Sequence, residues 1–293
     1  MFFGQEVQNV VNKTVNVYKE SGISAPEKAA GRLTCYYSAT SGEISPCRRR
    51  PAVLILPGGG YFRTSAREME PVALRFLARG YAAFVLEYSC APHSFPTPLR
   101  EAAMAMTFIR RNCGEFEVDP AMVAAIGFSA GGHLCGLLGT MYDCPEVADI
   151  GDALEIRPDA LGLNYPVAVS WGATHAASFR NISGGDGALA DRLSLDRLVR
   201  PDMPPVFLWH TRDDGSVPCR NSLVLANALV DAGVDVALHL YRKGRHGLST
   251  ADEMVYPVSS VPEVSWDVPG WLESEIRFFG DCGLKIRDLE GKE

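Results

Sequence analysis

The 293-residue chain is expected to be an α/β protein, with a mostly parallel central sheet and helices on both faces. Three observations carry this expectation. Short apolar runs at 52–56, 123–128 and 206–210 are each followed closely by turn residues, as suits strands buried on both faces. Stretches of helical periodicity lie between the strands, so the two types alternate. Finally, 47% hydrophobic against 22% charged residues is enough to bury a large core without staples and excludes global disorder.

Taken in order, 14–18 and 32–38 read as short strands, with a turn-rich connection at 41–46. The run at 52–56 is stopped by Pro57-Gly58-Gly59-Gly60. A helix is expected over 68–79, with Val72, Leu74, Phe76 and Leu77 among its apolar positions and Gly80 just past its end. The pattern continues with a strand at 81–88, a helix at 99–111, a strand at 123–128 and a helix at 132–141. Strands at 159–164 and 206–210, a helix at 222–232, a strand at 235–241 and a helix at 271–279 complete it. No linker composition interrupts the alternation, so 1–293 reads as a single domain. In it, 1–50 supplies N-terminal strands and connections, and the irregular segments 143–205 and 250–270 are candidates to shape a pocket.

Composition excludes several function classes. The net charge is −7, from 35 acidic and 28 basic residues, and the only basic run is Arg48-Arg49-Arg50, so a nucleic-acid partner is not expected. No window approaches 18 consecutive apolar residues, so no membrane span is expected. The N-terminal MFFGQEVQNVVNKTV lacks a basic stretch followed by an apolar run, and a cytoplasmic location is the default expectation. The eight cysteines show no CxxC spacing and no zinc-type pattern, so they read mostly as reduced thiols, several in the core. No metal and no cofactor are expected. The sequence does not speak to oligomeric state.

In open α/β sheets, ligands bind at the carboxyl ends of the strands. After the strand at 123–128 comes Gly127-Phe128-Ser129-Ala130-Gly131-Gly132 and then a helix, a GxSxG motif in a strand–turn–helix setting. Such a turn forces the serine into a strained backbone and demands small neighbours. Ser129 is therefore a candidate nucleophile, and it needs a base. Of the six histidines, His246 lies in the flexible Gly244-Arg245-His246-Gly247 loop just past the last strand, where it can reach over the strand ends. His133, four residues into the following helix, and His239, within a strand, read as structural. The acid should lie between serine and histidine, where Asp213 and Asp214 follow a strand; spacing hardly chooses between them. His210 is expected to anchor that loop by hydrogen bonds, with a metal role a minor alternative. Oxyanion donors are expected from the Ala130 amide and from Gly58-Gly59-Gly60, where glycine permits close backbone approach.

Together these residues resemble the α/β-hydrolase fold, more narrowly its acetyl-esterase and acetylxylan-esterase-like branch of serine hydrolases (carbohydrate esterase-like). That branch is related to hormone-sensitive-lipase-type esterases and prolyl-oligopeptidase-like hydrolases. The stretches that carry the resemblance are PAVLILPGGGY (51–61), YAAFVLEYSCAPHSFPTPL (81–99), GFSAGGH (127–133), PPVFLWHTRDDGSVP (204–218) and LHLYRKGRHGL (238–248). The resemblance implies Ser129 as nucleophile, His246 as base and Asp214, the second Asp of HTxDDxxVP, as catalytic acid. It also puts the oxyanion donors at Gly59, Gly60 and Ala130. Pro57 stands where HGGG-type relatives carry His, which counts against a lipase-like substrate preference.

The implied activity is a serine esterase cleaving short acyl esters, with acetyl on a carbohydrate such as a xylo-oligosaccharide the favoured substrate. A peptidase or another acyl hydrolase of the same fold is the first alternative, and a non-catalytic binding module the second. Tyr61, Phe62, Tyr88, Trp171 and Trp266 are aromatics near the candidate loops. Of these, Tyr61, Trp171 and Trp266 are taken as candidates to stack on a sugar, against core packing as the plainer role.

Overall fold

The computed structural model describes residues 10–39 and 48–288; the turn expected at 41–46 and Cys47 lie outside them. Eight strands form the body of one sheet: β1 (Val10–Asn16), β2 (Arg32–Ser38), β3 (Arg48–Leu56), β4 (Ala82–Glu87), β5 (Val118–Phe128), β6 (Leu161–Asn164), β7 (Val206–Thr211) and β8 (Val236–Tyr241). Their order is β1-β2-β4-β3-β5-β6-β7-β8, and a two-residue β9 (Arg287–Asp288) pairs with the start of β3. The β1–β2 and β2–β4 pairs are antiparallel, and the remaining pairs along this order are parallel. The expected α/β architecture is therefore found, with the antiparallel pairs confined to one edge.

Side-chain alternation along each strand divides the core into two layers. Ala52, Leu54 and Leu56 of β3 face the layer that holds Ala102 and Met106 of α2 (Thr97–Arg111), Leu134 and Leu138 of α3 (Ala130–Thr140) and Leu225 and Leu229 of α5 (Arg220–Asp231). Val53 and Ile55 face the opposite layer, with Val72 and Phe76 of α1 (Glu70–Leu77) and Trp271 and Phe279 of α6 (Trp271–Asp281). The same parity separates Leu208 from Phe207 and Trp209 on β7. Each fully buried side chain of this size contributes roughly 1.5–3 kcal/mol of hydrophobic stabilisation, which fixes strand register because a one-residue slip would exchange the layers.

Several boundaries differ from expectation for local reasons. The strand expected at 14–18 ends at Asn16, whose side chain accepts the Tyr18 and Lys19 amides and starts a helical turn, Val17–Ser21. The helix expected from 68 is a 3-10 turn, Ala66–Glu68, followed by α1, whose start carries Pro71 in its first turn. Segment 143–205 breaks into short helices, and one of them, α4 (Ala176–Ile182), borders the cleft described below. The seven described cysteines are free, with Cys35 and Cys135 buried. No described helix is long and apolar enough to cross a membrane. Because β3, β5, β7 and β8 are parallel, their carboxyl ends, Leu56, Phe128, Thr211 and Tyr241, share one edge of the sheet.

Candidate active site

Ser129 follows directly on β5 and has φ 55° and ψ −118°. A non-glycine residue held at positive φ is strained, and here the surroundings impose it. Its amide donates to the Asn164 carbonyl at 3.0 Å, and its carbonyl accepts from His133 at 3.1 Å and Val167 at 3.0 Å. The small neighbours are a packing requirement. A Cβ on Gly127 would lie 2.1 Å from the Gly131 carbonyl oxygen, and one on Gly131 would lie 2.1 Å from that of Leu56. The turn feeds α3 at once, so the positive end of that helix lies beside the serine.

His246 Nε2 is 2.8 Å from Ser129 Oγ, and His246 Nδ1 is 2.6 Å from Asp214 Oδ2. An ionised carboxylate only accepts, so Nδ1 carries the proton and Nε2 is left to accept from the serine hydroxyl. The structure brings Asp214 to His246, while Asp213 points to solvent. The division follows from the turn: Asp214 N–H donates to the Thr211 carbonyl, and Asp214 Oδ1 accepts the Ser216 and Val217 amides at 2.9 Å each. Burial opposes ionisation of Asp214. Hydrogen bonds from His210 and His246, the His246 charge and the Val217 amide outweigh it and hold the carboxyl well below the usual carboxylate range. His210 is fully buried between the Ser222 hydroxyl at 2.7 Å and the Val217 carbonyl at 2.8 Å, with Asp214 Oδ2 at 3.3 Å, so it braces the loop as expected.

The glycine turn after β3 is closed by Ser65 N–H on the Gly58 carbonyl and by the Phe62 and Arg63 amides on that of Gly59. Gly59 has φ 131°, and a Cβ there would lie 2.1 Å from the Arg63 carbonyl oxygen. The Gly58 amide is already engaged by Glu68 Oε2 at 2.8 Å. The candidate donors that remain are Gly59 and Gly60, which line the same cleft as Ser129, and Ala130, which as the first residue of α3 has no intrahelical acceptor.

Glu68 is a site residue that sequence reasoning missed. Burial pushes its carboxyl up, against the Tyr165 hydroxyl and the Gly58 amide, which favour the charged form. Tyr165 Oη donates to Glu68 Oε1 at 2.8 Å and accepts the Ser249 amide at 2.9 Å, while its ring packs edge-on against His246. One buried carboxyl therefore ties the glycine turn to the histidine loop. Asn181 of α4 braces the turn from the other side, donating to the Gly60 carbonyl at 2.8 Å. The signal available for Glu68 was its place three residues after Ser65, which reads equally well as a helix-start pattern.

The cleft encloses about 440 Å³, and besides Ser129 and His246 its walls include Phe62, Arg63, Arg67, His175, Asn181 and Ser216. Tyr61 corrects an expectation. It is 1% exposed, its hydroxyl meets His133 Nδ1 at 2.8 Å and its ring packs against Tyr88, so it has no free face for a sugar. The backbone at Tyr61, φ 57°, turns that ring inward and leaves the next residue, Phe62, 73% exposed on the cleft. Trp171, bonded through Nε1 to Asp196, and Trp266, 92% exposed, do not line the cleft. His133 sits in the core, its Nε2 donating to the Leu193 carbonyl at 2.7 Å.

The chain is similar to known proteins in sequence and in overall fold. The BD-FAE family model matches residues 45–156. The chain is 36% identical to endo-1,4-beta-xylanase B of Butyrivibrio fibrisolvens, a match spanning 75% of this chain and 36% of that one. It is 29% identical to an acetylxylan esterase of Xylanibacter ruminicola, over 76% of this chain and 45% of that one. It thus spans less than half the length of either curated relative. The crystal structure of an acetyl ester-xyloside bifunctional hydrolase from Caldicellulosiruptor lactoaceticus superposes with a TM-score of 0.76 at 31% identity, covering 93% of this chain and 97% of that one. With the sheet order, the strained serine turn and a relative of this similarity over nearly its whole length, the chain belongs to the esterase-like α/β-hydrolases.

Proposed function

We propose that the chain is a serine carboxylic ester hydrolase that removes short acyl groups, acetyl foremost, from carbohydrate such as xylo-oligosaccharides. The observation that carries this reading is the continuous hydrogen-bonded line from Ser129 Oγ through His246 to Asp214, opening on a cleft that Gly59 and Gly60 also line. In the proposed reaction, Ser129 Oγ attacks the ester carbonyl while His246 Nε2 takes its proton. Asp214 holds the ring in the required tautomer and stabilises its cation. The Gly59, Gly60 and Ala130 amides receive the charge that develops on the carbonyl oxygen. The protonated His246 returns its proton to the leaving alcohol, and water, activated by the same nitrogen, then releases the acid from Ser129.

The carbohydrate and acetyl parts of the proposal draw on the relatives, two of which are named for xylan or acetylxylan and a third for acetyl ester and xyloside. Phe62 gives the cleft one exposed ring on which a sugar can stack. The test compares 4-nitrophenyl acetate, a long-chain ester, an aminoacyl anilide and acetylated xylo-oligosaccharides, with acetate release followed by mass spectrometry. Turnover of the acetyl substrates is the expected result. Preference for the anilide would overturn the esterase reading in favour of a peptidase.

A further inference from the structure

The cleft is rich in cations, although the chain as a whole carries a net charge of −7. Arg63 and Arg67 both line it, both are exposed, and among the described residues neither has a carboxylate within salt-bridge distance. Arg245, next to His246, shares the Tyr256 ring with Arg67, the two guanidinium carbons standing 5.0 and 5.7 Å from its centroid. The only carboxylate lining the cleft among the described residues is Glu68, which is buried and hydrogen-bonded. A single-sign rim of this kind focuses its field on the cleft mouth.

These cations also stand on rigid backbone. The Arg63 amide closes the glycine turn on Gly59, and the Arg67 carbonyl accepts the Ser249 hydroxyl. Their positions are therefore tied to the same turn and loop that hold the reacting groups. Arg63 has a second role in shape. It lines a neighbouring cavity of about 560 Å³, whose walls include Lys28, Tyr88, Ser89 and His93. The carboxylate of that cavity, Glu27, stands 3.5 Å from Lys28.

We propose that the two cavities form one substrate groove joined at Arg63, and that Arg63 and Arg67 bind a carboxylate on the sugar portion of the substrate. The preferred ester is then an acetylated acidic oligosaccharide, one bearing a uronic acid, and not its neutral counterpart. This rests on the ester-hydrolase reading above and deepens it. A planar guanidinium pairs with a carboxylate through two parallel N–H···O bonds, which gives both affinity and orientation.

The test uses two acetylated xylo-oligosaccharides that differ only in whether the uronic acid is intact or reduced to the neutral sugar. The wild-type chain is expected to favour the intact substrate by about tenfold in kcat/KM, through KM, with the ratio shrinking as salt is raised to about 0.5 M. The R63Q/R67Q double variant is expected to bring the ratio to within about twofold of unity. A wild-type ratio near one, or a ratio that survives the double substitution, overturns the acidic subsite while leaving the esterase reading intact. Acetate release from neither oligosaccharide, with 4-nitrophenyl acetate still hydrolysed, overturns the carbohydrate reading and this proposal with it. If the double variant does not fold, the salt dependence of the wild-type ratio decides: a ratio insensitive to salt refutes the proposal.

Discussion

Acid should destabilise this fold through His133. The imidazole is buried on α3 one turn past Ser129, and both nitrogens are engaged. The Leu193 carbonyl only accepts, so Nε2 carries the proton and Nδ1 accepts from the Tyr61 hydroxyl. Burial lowers this histidine from 6.5 to about 4, partly offset by the bond to Leu193. Between those values the unfolded chain binds a proton that the folded chain does not, so stability falls as pH falls. The full contribution is present above about pH 7, and by pH 5 roughly 2 kcal/mol is lost, since a tenfold change in proton affinity corresponds to about 1.36 kcal/mol. The assay is urea unfolding of wild type and His133→Gln at pH 7 and pH 5. Glutamine can keep the bond to Leu193 but cannot titrate. The variant should lose about 2 kcal/mol less than wild type over that interval. Equal losses in the two proteins would show that His133 is not protonated on unfolding and would refute the argument.

Four further outcomes are expected. Ser129→Ala should lower ester turnover by at least about a thousandfold, and Asp214→Asn and His246→Ala should not add to it, because groups that act as a unit are non-additive; Asp213→Asn should stay within about threefold of wild type, since that side chain faces solvent. Gly131→Ala, whose Cβ would meet the Leu56 carbonyl at 2.1 Å, should cost more than about 3 kcal/mol in thermal or urea unfolding, or prevent folding. Glu68→Gln cannot serve both the Gly58 amide and the Tyr165 hydroxyl as acceptor, so kcat on 4-nitrophenyl acetate should fall about 10–100-fold with KM little changed; a change confined to KM would count against its role in positioning the turn. Phe62→Ala should raise KM for an oligosaccharide about three- to tenfold, whereas Trp266→Ala should leave it within twofold.

Most of the strand–helix order was legible because each element has a local cause. The runs 52–56 and 123–128 are apolar at every position and so must be covered on both faces, and the glycines on either side of Ser129 mark a sharp turn. Parallel strands then bring the segments after β5, β7 and β8 to one edge, which made Ser129, the Asp213-Asp214 pair and His246 candidates before any geometry was known. The choice between Asp213 and Asp214 was not legible from spacing. It depends on which carboxylate the Ser216 and Val217 amides and His210 draw inward.

The aromatics show where a sequence stops. Tyr61 and Phe62 are neighbours of similar character, yet a positive φ at Tyr61 sends one ring into the core and the other to the cleft. Glu68 looked like the first residue of an amphipathic helix, and its partners Gly58 and Tyr165 are 10 and 97 residues away. Arg67 likewise meets Ser249 across 182 residues. The sequence by itself determined the layers, the strand–turn–helix of Ser129 and the chain order of the candidate groups, because these follow from periodicity and steric need over a few residues. Asp214 over Asp213 was implied by the resemblance alone, and the tertiary structure supplied its physical reason. Only the tertiary structure decided which aromatic is exposed and which cations line the cleft, because those depend on contacts between segments that the chain keeps far apart.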